Sequence, residues 1–381
     1  MSDDQGPSGR AQRALPLIAA ALAAIVVAGG LYIRSVTPAP TGPLTSTAVP
    51  VMSGPYSATY DFVTPSLGWA LVLDYSTFST NYWIFKTTDG ARHWQEQHVG
   101  QAEGGRTYLH FFDDQHGFAY AGISYRTVDG GAHWQTVEVP GSIPYVTFAS
   151  PTLGWAEAFQ VGTQRLYMTA DGGATWTLLP TDLPGAAVLQ PIFEIQSSSF
   201  RASGEGWLGA GYLASPVVYL TVDAGASWRT IGIPSPRTAA TGPGYLTSAR
   251  LVRGGGVVVL VSDDSKRLLD AFFSSDRGGS WREVTFPVAL TTSDDLSFVD
   301  ATHWWTFRSG EVYTSTDAGI AWTRVAVSGL PDGWRYEAAR AIDTKNAWWA
   351  MVSSARSTRS ALAVTSDGGK HWIMVKPPQP Q

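Results

Sequence analysis

One eight-residue pattern occurs seven times in this chain of 381 residues and constrains what the chain can fold into. The pattern is Ser/Thr-x-Asp-x-Gly-x-x-Trp, named here the repeat box, and its copies begin at Thr87, Thr127, Thr169, Thr221, Ser274, Ser315 and Thr365. The copies recur every 40 to 53 residues. A period in this range is typical of an array of supersecondary units, so the repeat predicts the architecture.

Each residue type in the box suits a tight turn between two strands. The Asp carboxylate can accept hydrogen bonds from turn N–H groups, with the Ser/Thr hydroxyl assisting. The Gly supplies a positive φ, and the Trp starts the next strand and can cover the turn. The first copy has Ala91 in place of that Gly, which predicts a looser or shifted turn there. A residue needed seven times indicates a structural role, which we predict for Asp89, Asp129, Asp171, Asp223, Asp276, Asp317 and Asp367 and for Trp94, Trp134, Trp176, Trp228, Trp281, Trp322 and Trp372.

A weaker repeat lies upstream of the boxes. In most units a Phe stands six residues before a Gly or its equivalent, and an aromatic residue follows, as in Phe62, Gly68 and Trp69. Short apolar or alternating runs such as YWIFKTT and VVYLTV lie between these landmarks and indicate strands. Each unit is therefore predicted to contain four antiparallel strands, with the box between the third and the fourth, as in a propeller blade.

Seven boxes predict an all-β fold, a single seven-bladed β-propeller of four-stranded antiparallel blades over residues 55–376, followed by a C-terminal tail, 377–381. The blades are expected near 55–100, 105–140, 143–180, 190–234, 245–287, 293–328 and 335–376. The last box is followed by its own strand, so we expect closure without a long strand exchange. The alternative is that the first blade borrows a strand from the far end of the chain.

The N-terminal region contains twenty successive residues without a charge, 14–33. As a helix this segment is long enough to cross a hydrocarbon core about 30 Å thick, so we predict a transmembrane signal anchor. Arg10 and Arg13 precede it, which predicts a cytoplasmic tail, 1–13, and an extracytoplasmic propeller on a single-pass protein of the cell membrane. A cleaved signal peptide is the alternative. Residues 34–54 are rich in Pro and Thr and are predicted to be an extended linker.

Composition and motifs exclude several classes of chemistry. The absence of Cys excludes disulfides, thiolate catalysis and Cys-bound zinc. The net charge of −5 and the lack of a basic stripe argue against nucleic acid as a partner. No metalloprotease, P-loop, serine-hydrolase or EF-hand motif occurs, and most of the seven His residues occupy repeat positions. We therefore predict no catalytic, cofactor-binding or metal-binding residues and no cofactor.

Aromatic and Arg residues outside the repeat positions are candidates for binding a partner. Loops that join strands two and three, or successive blades, share the ring face opposite the boxes. Such residues on the irregular loops of a rigid ring suit recognition, although ordinary surface positions are the alternative. The candidate partner-binding residues are Tyr82, Trp83, Arg165, Tyr212, Arg267, Trp334 and Arg335.

The boxes and Gly-Trp turns across residues 55–376 resemble the Asp-box, or bacterial neuraminidase repeat, propellers. The single seven-unit ring is most similar to the photosystem II stability/assembly factor family. This resemblance implies a non-enzymatic scaffold that binds a protein partner at or near the membrane and assists the assembly or stability of membrane protein complexes.

Related boxes in sialidases imply the alternative function, a carbohydrate-binding module or a sialidase-like glycoside hydrolase. A sialidase would need three Arg residues around a substrate carboxylate, a Tyr nucleophile with a Glu base, and an Asp acid. The chain has enough Arg residues to permit such a triad, and the candidates are Arg201, Arg250, Arg253, Arg308, Arg335 and Arg340.

Overall fold

The computed structural model describes residues 49–380, and every regular element in the described part is a β-strand. The description omits residues 75, 77–79, 103–106, 161–162, 181–182, 184–194, 212–213, 241–243, 264, 291–294 and 354–358. The predicted cytoplasmic tail, the transmembrane helix and most of the linker, residues 1–48, lie outside the described residues. The residues that are described include no helix with the length and apolar character needed to cross a membrane.

The strands form seven antiparallel sheets, each built around four consecutive strands, and the sheet of the last blade carries a fifth, short strand. A short strand β1 (Met52–Ser53) precedes blade 1, which contains β2 (Tyr56–Phe62), β3 (Gly68–Asp74), β4 (Thr80–Thr87) and β5 (Gln95–Ala102). Blade 2 contains β6 (Tyr108–Phe111), β7 (Gly117–Tyr120), β8 (Ser124–Thr127) and β9 (Gln135–Val137). Blade 3 contains β10 (Ser142–Phe148), β11 (Gly154–Gln160), β12 (Thr163–Thr169) and β13 (Thr177–Leu178).

The remaining four blades repeat this order. Blade 4 contains β14 (Ile195–Phe200), β15 (Gly206–Ala210), β16 (Val217–Thr221) and β17 (Arg229–Gly232), and blade 5 contains β18 (Leu246–Leu251), β19 (Val257–Ser262), β20 (Leu268–Ser274) and β21 (Arg282–Glu283). Blade 6 contains β22 (Asp295–Phe298), β23 (Trp304–Arg308), β24 (Glu311–Ser315) and β25 (Thr323–Val325), and blade 7 contains β26 (Trp334–Ala341), β27 (Ala347–Ser353), β28 (Arg359–Thr365) and β29 (Ile373–Val375). The predicted seven-bladed propeller with four-stranded antiparallel blades is confirmed.

Every repeat box joins the third strand of a blade to the fourth, and its Ser/Thr and Asp side chains hold the turn together. In blade 3 the Thr169 hydroxyl donates to Asp171 Oδ1 at 2.8 Å and accepts the Gly173 N–H at 2.8 Å. The same carboxylate accepts the Thr175 N–H at 2.9 Å and the Thr175 hydroxyl at 2.7 Å. These bonds from Thr175 and Thr169 lower the pKa of Asp171 to about 2, so the carboxylate stays charged at neutral pH.

The turn at Ala91 is neither looser nor shifted, so that prediction was wrong. Ala91 adopts φ = 68°, and its N–H donates to Thr87 Oγ1 at 3.0 Å, as the equivalent Gly residues do in the other boxes. The side chain of Ala91 is fully buried in an apolar cluster between blades 1 and 7. A single methyl group fits this turn, and the Thr and Asp hydrogen bonds hold the left-handed backbone that Ala alone disfavours.

The boxes also connect neighbouring blades. Gly130 in the box of blade 2 accepts hydrogen bonds at its carbonyl from Lys86 Nζ at 3.0 Å and Trp69 Nε1 at 3.1 Å, both in blade 1. The indole of Trp155 donates in the same way to the Ala224 carbonyl in the next blade, at 3.0 Å. Each such turn is therefore both the end of one hairpin and a contact surface for the preceding blade.

The Phe and Gly landmarks are explained by one close contact within the blade. A Cβ atom added at Gly68 would lie 2.3 Å from the ring of Phe62, and one added at Gly206 would lie 2.1 Å from the ring of Phe200. The first strand of the blade ends at the Phe, and the second begins at the Gly. Glycine is required there because the aromatic ring occupies the space of a side chain.

The apolar core lies mainly between blades. One cluster joins Trp69 and Leu71 of blade 1 to Phe111 and Ala119 of blade 2, and the rings of Trp69 and Phe111 stack at 3.5 Å. Equivalent clusters join the other blades, so that no blade buries its apolar surface alone. This mutual burial favours a closed ring over an open stack.

Closure between blades 7 and 1 uses both ends of the described chain. Strand β1 adds two residues to the outer side of β28, pairing Met52 with Ser360, while β29 pairs with the rest of β28. The Trp94 indole donates to the Lys376 carbonyl at 3.1 Å, and the Ser53 N–H donates to the side chain of Gln379 at 3.0 Å. The ring therefore closes without a long strand exchange, as predicted, and the short β1 reinforces the seam.

The box geometry predicts unequal effects for two substitutions in blade 3. Thr169→Val removes the acceptor of a buried N–H and should lower the free energy of unfolding by about 2 kcal/mol. Thr175→Val removes only an exposed hydroxyl from the same carboxylate and should cost less than about 0.5 kcal/mol. Urea denaturation of the two variants measures the difference, and equal losses would contradict a structural role for the box hydroxyl.

Candidate functional site

The centre of the ring is a cavity of about 1340 Å³ lined by the innermost strand of every blade. Alternate residues of a strand point to the same side, so each inner strand directs every second side chain into the cavity. The penultimate residues of the seven inner strands all line it and form what we name the penultimate ring: Asp61, His110, Thr147, Ser199, Arg250, Ser297 and Arg340. All seven members of this ring are polar.

Several of these side chains accept hydrogen bonds from backbone N–H groups on the unpaired edge of the inner strand in the next blade. Asp61 Oδ2 accepts the Phe111 N–H at 2.7 Å, and Ser297 Oγ accepts the Ala341 N–H at 3.0 Å. Two residues before Ser297 on the same strand, Asp295 Oδ2 accepts the Ala339 N–H at 2.7 Å. An inner strand has a neighbouring strand on one side only, so its remaining N–H groups need such acceptors. Polar residues at these positions are thus part of ring assembly.

Asp61 also binds two basic side chains from the blades on either side of it. Arg340 Nη1 of blade 7 lies 2.8 Å from Asp61 Oδ1, and His110 Nδ1 of blade 2 lies 3.1 Å from Asp61 Oδ2. Burial alone would raise the pKa of Asp61, but His110, Arg340 and the Phe111 N–H outweigh it and hold that pKa below its usual value. A charged carboxylate therefore links three blades at the seam of the ring.

Two Tyr residues and a Glu extend this polar cluster towards blade 3. The rings of Tyr108 and Tyr145 lie 5.5 Å apart in an edge-to-face arrangement, and the centroids of Tyr108 and His110 are 6.3 Å apart. Glu157 is the cross-strand partner of Tyr145 and is buried. Desolvation raises the pKa of Glu157 to about 7, against the opposing effect of hydrogen bonds from Ser198. Both Glu157 and Tyr145 line the cavity.

Positive charge borders the same cluster. Arg250 and Arg340 both act electrostatically on the Tyr145 hydroxyl, and Arg250 also interacts with Asp295. Desolvation of its hydroxyl and the nearby Glu157 carboxylate raise the pKa of Tyr145. The cavity therefore brings together an Asp–His pair, two protonated phenols, a titratable carboxyl group and two guanidinium groups.

The Arg residues considered for a sialidase triad do not share one role. Arg201 lies 3.6 Å from Glu205 and donates to the carbonyls of Val252 and Gly256, at 3.1 and 2.7 Å. Arg340 binds Asp61. Arg201, Arg250, Arg253 and Arg340 line the cavity. Arg308 is the last residue of β23, and Arg335 pairs with Glu337 at 2.7 Å.

Six of the seven candidate partner-binding residues are described by the structure, and they belong to blades 1, 3, 5 and 7. Tyr82 is fully buried, with its hydroxyl 3.0 Å from His98 Nε2, and Trp83 packs edge-on against Tyr56. Arg165 is half-buried in β12, Arg267 pairs with the buried Asp263 at 3.1 Å, and Trp334 packs against the core between blades 6 and 7. Arg335 is exposed beside Glu337, and Tyr212 lies outside the described residues. Their role in binding a partner stays a prediction.

The sequence analysis missed the penultimate ring. The available signal was the polar residue directly before each Phe landmark or its equivalent, a residue whose type changes from blade to blade. Among the residues that the structure describes, no group of three His, Asp or Glu side chains is arranged to hold a metal ion.

The sequence matches no protein-family model and no curated protein. Solved structures with a similar fold include YCF48 bound to a D1 peptide, at 15% identity, covering 84% of this chain and 99% of that chain with a TM-score of 0.52. YCF48 from Cyanidioschyzon merolae is similar at 17% identity, over 84% of this chain and 96% of that chain, with a TM-score of 0.50. A PL25 ulvan lyase bound to a GlcA–Rha3S saccharide is similar at 10% identity, over 86% and 96%, with a TM-score of 0.53. At these identities the likeness concerns the propeller fold.

The Asp61 cluster predicts unequal effects for two Arg substitutions on β26. Arg340→Ala removes a guanidinium from a buried carboxylate and should lower the free energy of unfolding by about 2–3 kcal/mol. Arg335→Ala removes an ion pair in which both side chains are exposed, and should cost less than about 0.5 kcal/mol. Chemical denaturation of both variants tests this. Equal, small losses would show that the seam does not depend on the Asp61 charge pair.

Because the pKa of Glu157 is raised, Glu157→Gln is predicted to increase the free energy of unfolding by an amount that depends on pH. The folded ring holds this proton up to about pH 7, whereas the unfolded chain releases it near pH 4.3, so the wild type loses stability as the pH rises between these values. The neutral Gln should therefore stabilise the ring at about pH 8, by on the order of 3 kcal/mol, and have little effect near pH 4.

Thermal melting at both pH values measures this change. Glu337→Gln alters an exposed carboxylate and serves as the control. An increase in melting temperature that is equal at both pH values, or equal in Glu337→Gln, would contradict the raised pKa of Glu157.

Proposed function

We propose that this protein is a membrane-tethered, extracytoplasmic propeller that binds a segment of a protein partner, as a non-enzymatic scaffold for the assembly or stability of membrane protein complexes. The observation that carries the proposal is the central cavity of about 1340 Å³, which is large enough for several residues of an extended chain and is lined by polar groups. Tyr145 is half exposed at its wall and offers an aromatic contact of the kind that dominates protein interfaces.

Two further points support this function. The sequence predicts an anchor at residues 14–33, which would hold the ring near membrane proteins. A structure with a similar fold, YCF48, is solved with a D1 peptide bound, so a propeller of this size can hold a peptide. The resemblance of the boxes to the photosystem II assembly factor family agrees with that role.

In-cell crosslinking of the full-length protein tests this function. We expect full-length protein to capture a discrete membrane or envelope protein, and a form without residues 1–36 to capture less of it. Tyr145→Ala should reduce capture about tenfold, because it removes an aromatic contact in the cavity. Ile373→Ala, which removes an exposed apolar side chain from β29, is the matched control and should have no effect. If the full-length protein recovers no such partner above background, the scaffold function is wrong.

A second function, a carbohydrate-active module, is favoured by a different observation. Tyr145 is the cross-strand partner of Glu157, and Arg250 and Arg340 act electrostatically on its hydroxyl, so the cavity wall combines an aromatic ring with acid–base and cationic groups. Such a constellation suits an anionic sugar, whose charge would be met by the Arg side chains and whose ring would pack against Tyr145.

A further inference from the structure

The outer strand of blade 1 is longer than the outer strand that the structure describes in any other blade. β5 spans eight residues, Gln95–Ala102, whereas β9, β13, β17, β21, β25 and β29 span two to four residues each. No described strand pairs with the outer side of β5, so its backbone has N–H and C=O groups that point away from the sheet. Short outer strands protect a sheet against pairing with another chain, and blade 1 lacks this protection.

Proline limits most of the other outer strands but not β5. In five of the other six blades a Pro follows the outer strand within four residues, and a Pro has no N–H with which to continue an edge. These residues are Pro140, Pro180, Pro234, Pro287 and Pro377. After Ala102, the end of β5, the next Pro in the chain is Pro140, in the following blade.

A β-bulge separates the charged start of β5 from a neutral end. The register between β4 and β5 shifts at Gln97, so that Gln97 is the extra residue of the bulge. The five residues after it, 98–102, pair with β4 in unbroken register and include no Lys, Arg, Asp or Glu. Burial lowers the pKa of His98, so its imidazole is neutral at pH 7. Two copies of this segment, named here the neutral segment, can therefore approach each other without charge repulsion.

One face of the neutral segment packs against the ring. His98 Nε2 lies 3.0 Å from the Tyr82 hydroxyl, and the ring of His98 lies 5.5 Å from that of Tyr125 and 6.4 Å from that of Trp134, both in blade 2. Gly100 continues this face, where an added Cβ atom would lie 2.6 Å from the Tyr82 hydroxyl. These contacts hold β5 in place and involve alternate residues, so they use only one of its two faces.

The opposite face of the neutral segment exposes an apolar side chain. Val99 is 52% exposed. Its cross-strand partner is Trp83, which is half-buried and packs edge-on against Tyr56 with ring centroids 5.9 Å apart. Val99 and Trp83 thus form a small apolar patch beside an unpaired strand edge. A strand added to β5 would cover Val99 and pair the outward N–H and C=O groups at the same time.

A second copy of this chain fits the edge because the neutral segment is complementary to itself. In an antiparallel pair about a two-fold axis perpendicular to the sheet, the same residue of both copies lies on the same face. A register centred on Gly100 uses all five residues and places Val99 of each copy opposite Gln101 of the other, with the two Val99 side chains diagonal neighbours. Glu96 lies outside the paired segment, so no like charges face each other.

We propose that β5 is the interface of a symmetric dimer, in which the neutral segments of two copies pair antiparallel and join two first blades into one continuous sheet. This surface is separate from the central cavity, so the proposal goes beyond the function proposed above. The contact is smaller than the roughly 1,200–2,000 Å² that stable interfaces bury, so we expect a reversible dimer with a Kd in the micromolar range or weaker.

Crosslinking through single Cys residues tests the dimer. The chain contains no Cys, so one introduced thiol per copy reports the contact without background. Diagonal neighbours in an antiparallel pair lie about 7–8 Å apart, so a short bis-maleimide should join two copies of full-length Val99→Cys in detergent. Leu178→Cys is the matched control, since Leu178 is 50% exposed on β13, an outer strand of two residues. We expect at least about tenfold less dimer from this control.

Two identical substitutions on β5 separate strand pairing from a general effect of surface charge. In the Val99→Cys protein, Gln101→Lys introduces a charge within the neutral segment and should lower the dimer yield at least about tenfold. Gln95→Lys introduces the same charge before the bulge and should leave the yield unchanged. Both Gln side chains are exposed, so both variants should keep the melting temperature of the parent.

Amide hydrogen exchange gives a second measurement on the wild-type protein. Exchange in β5 should slow as the concentration of full-length protein rises from about 5 to 500 μM, and this change should be absent in Gln101→Lys. Equal crosslinking of Val99→Cys and Leu178→Cys, or a dimer yield that Gln101→Lys does not change, overturns the dimer. Protection of β5 that is the same at all concentrations also overturns it. Tyr145→Ala should leave the dimer yield unchanged, so failure of the cavity function and failure of the dimer are distinguishable.

Discussion

The hydrogen bonds between the Ser/Thr hydroxyl and the Asp carboxylate of each repeat box are the interaction on which the ring depends. They hold two successive residues in the left-handed region, as at Gly172 and Gly173, and so turn the third strand of each blade into the fourth. The same turn exposes a carbonyl that a Lys or Trp of the preceding blade binds, as Lys86 and Trp69 bind Gly130. One local motif therefore sets both the hairpin and the spacing between blades.

The closed ring creates a second requirement at its centre. Each inner strand has an open edge, and acceptors from the preceding blade satisfy its N–H groups, so polar side chains must line the cavity. The hydroxyl groups of Ser199 and Ser297 meet this requirement. Asp61 meets the same requirement and in addition binds His110 and Arg340, which converts a structural position into an acid–base cluster. The polar lining of the cavity thus follows from the assembly of the ring.

The fold was predictable because its determinants are short in sequence and repeated. The number of boxes predicted the number of blades, and the Phe and Gly landmarks marked the turn between the first two strands. The interpretation of Ala91 as a looser turn was wrong, because one hydrogen-bond network compensates for one methyl group. The candidate residues chosen by residue type alone proved to be partly core residues, since Tyr82 is buried and Trp334 packs against a core cluster. Exposure depends on neighbouring strands that the local pattern does not report.

The sequence by itself determined the strand order of each blade, the box turns and the all-β ring, because each depends on contacts within about 40–50 residues of chain. Only the tertiary structure decided what faces the cavity. Asp61 and Arg340 lie at opposite ends of the propeller sequence, and they meet because apolar burial between blades closes the ring. The pKa values of Glu157 and Tyr145 follow from the same closure, since desolvation between blades is absent in any single repeat.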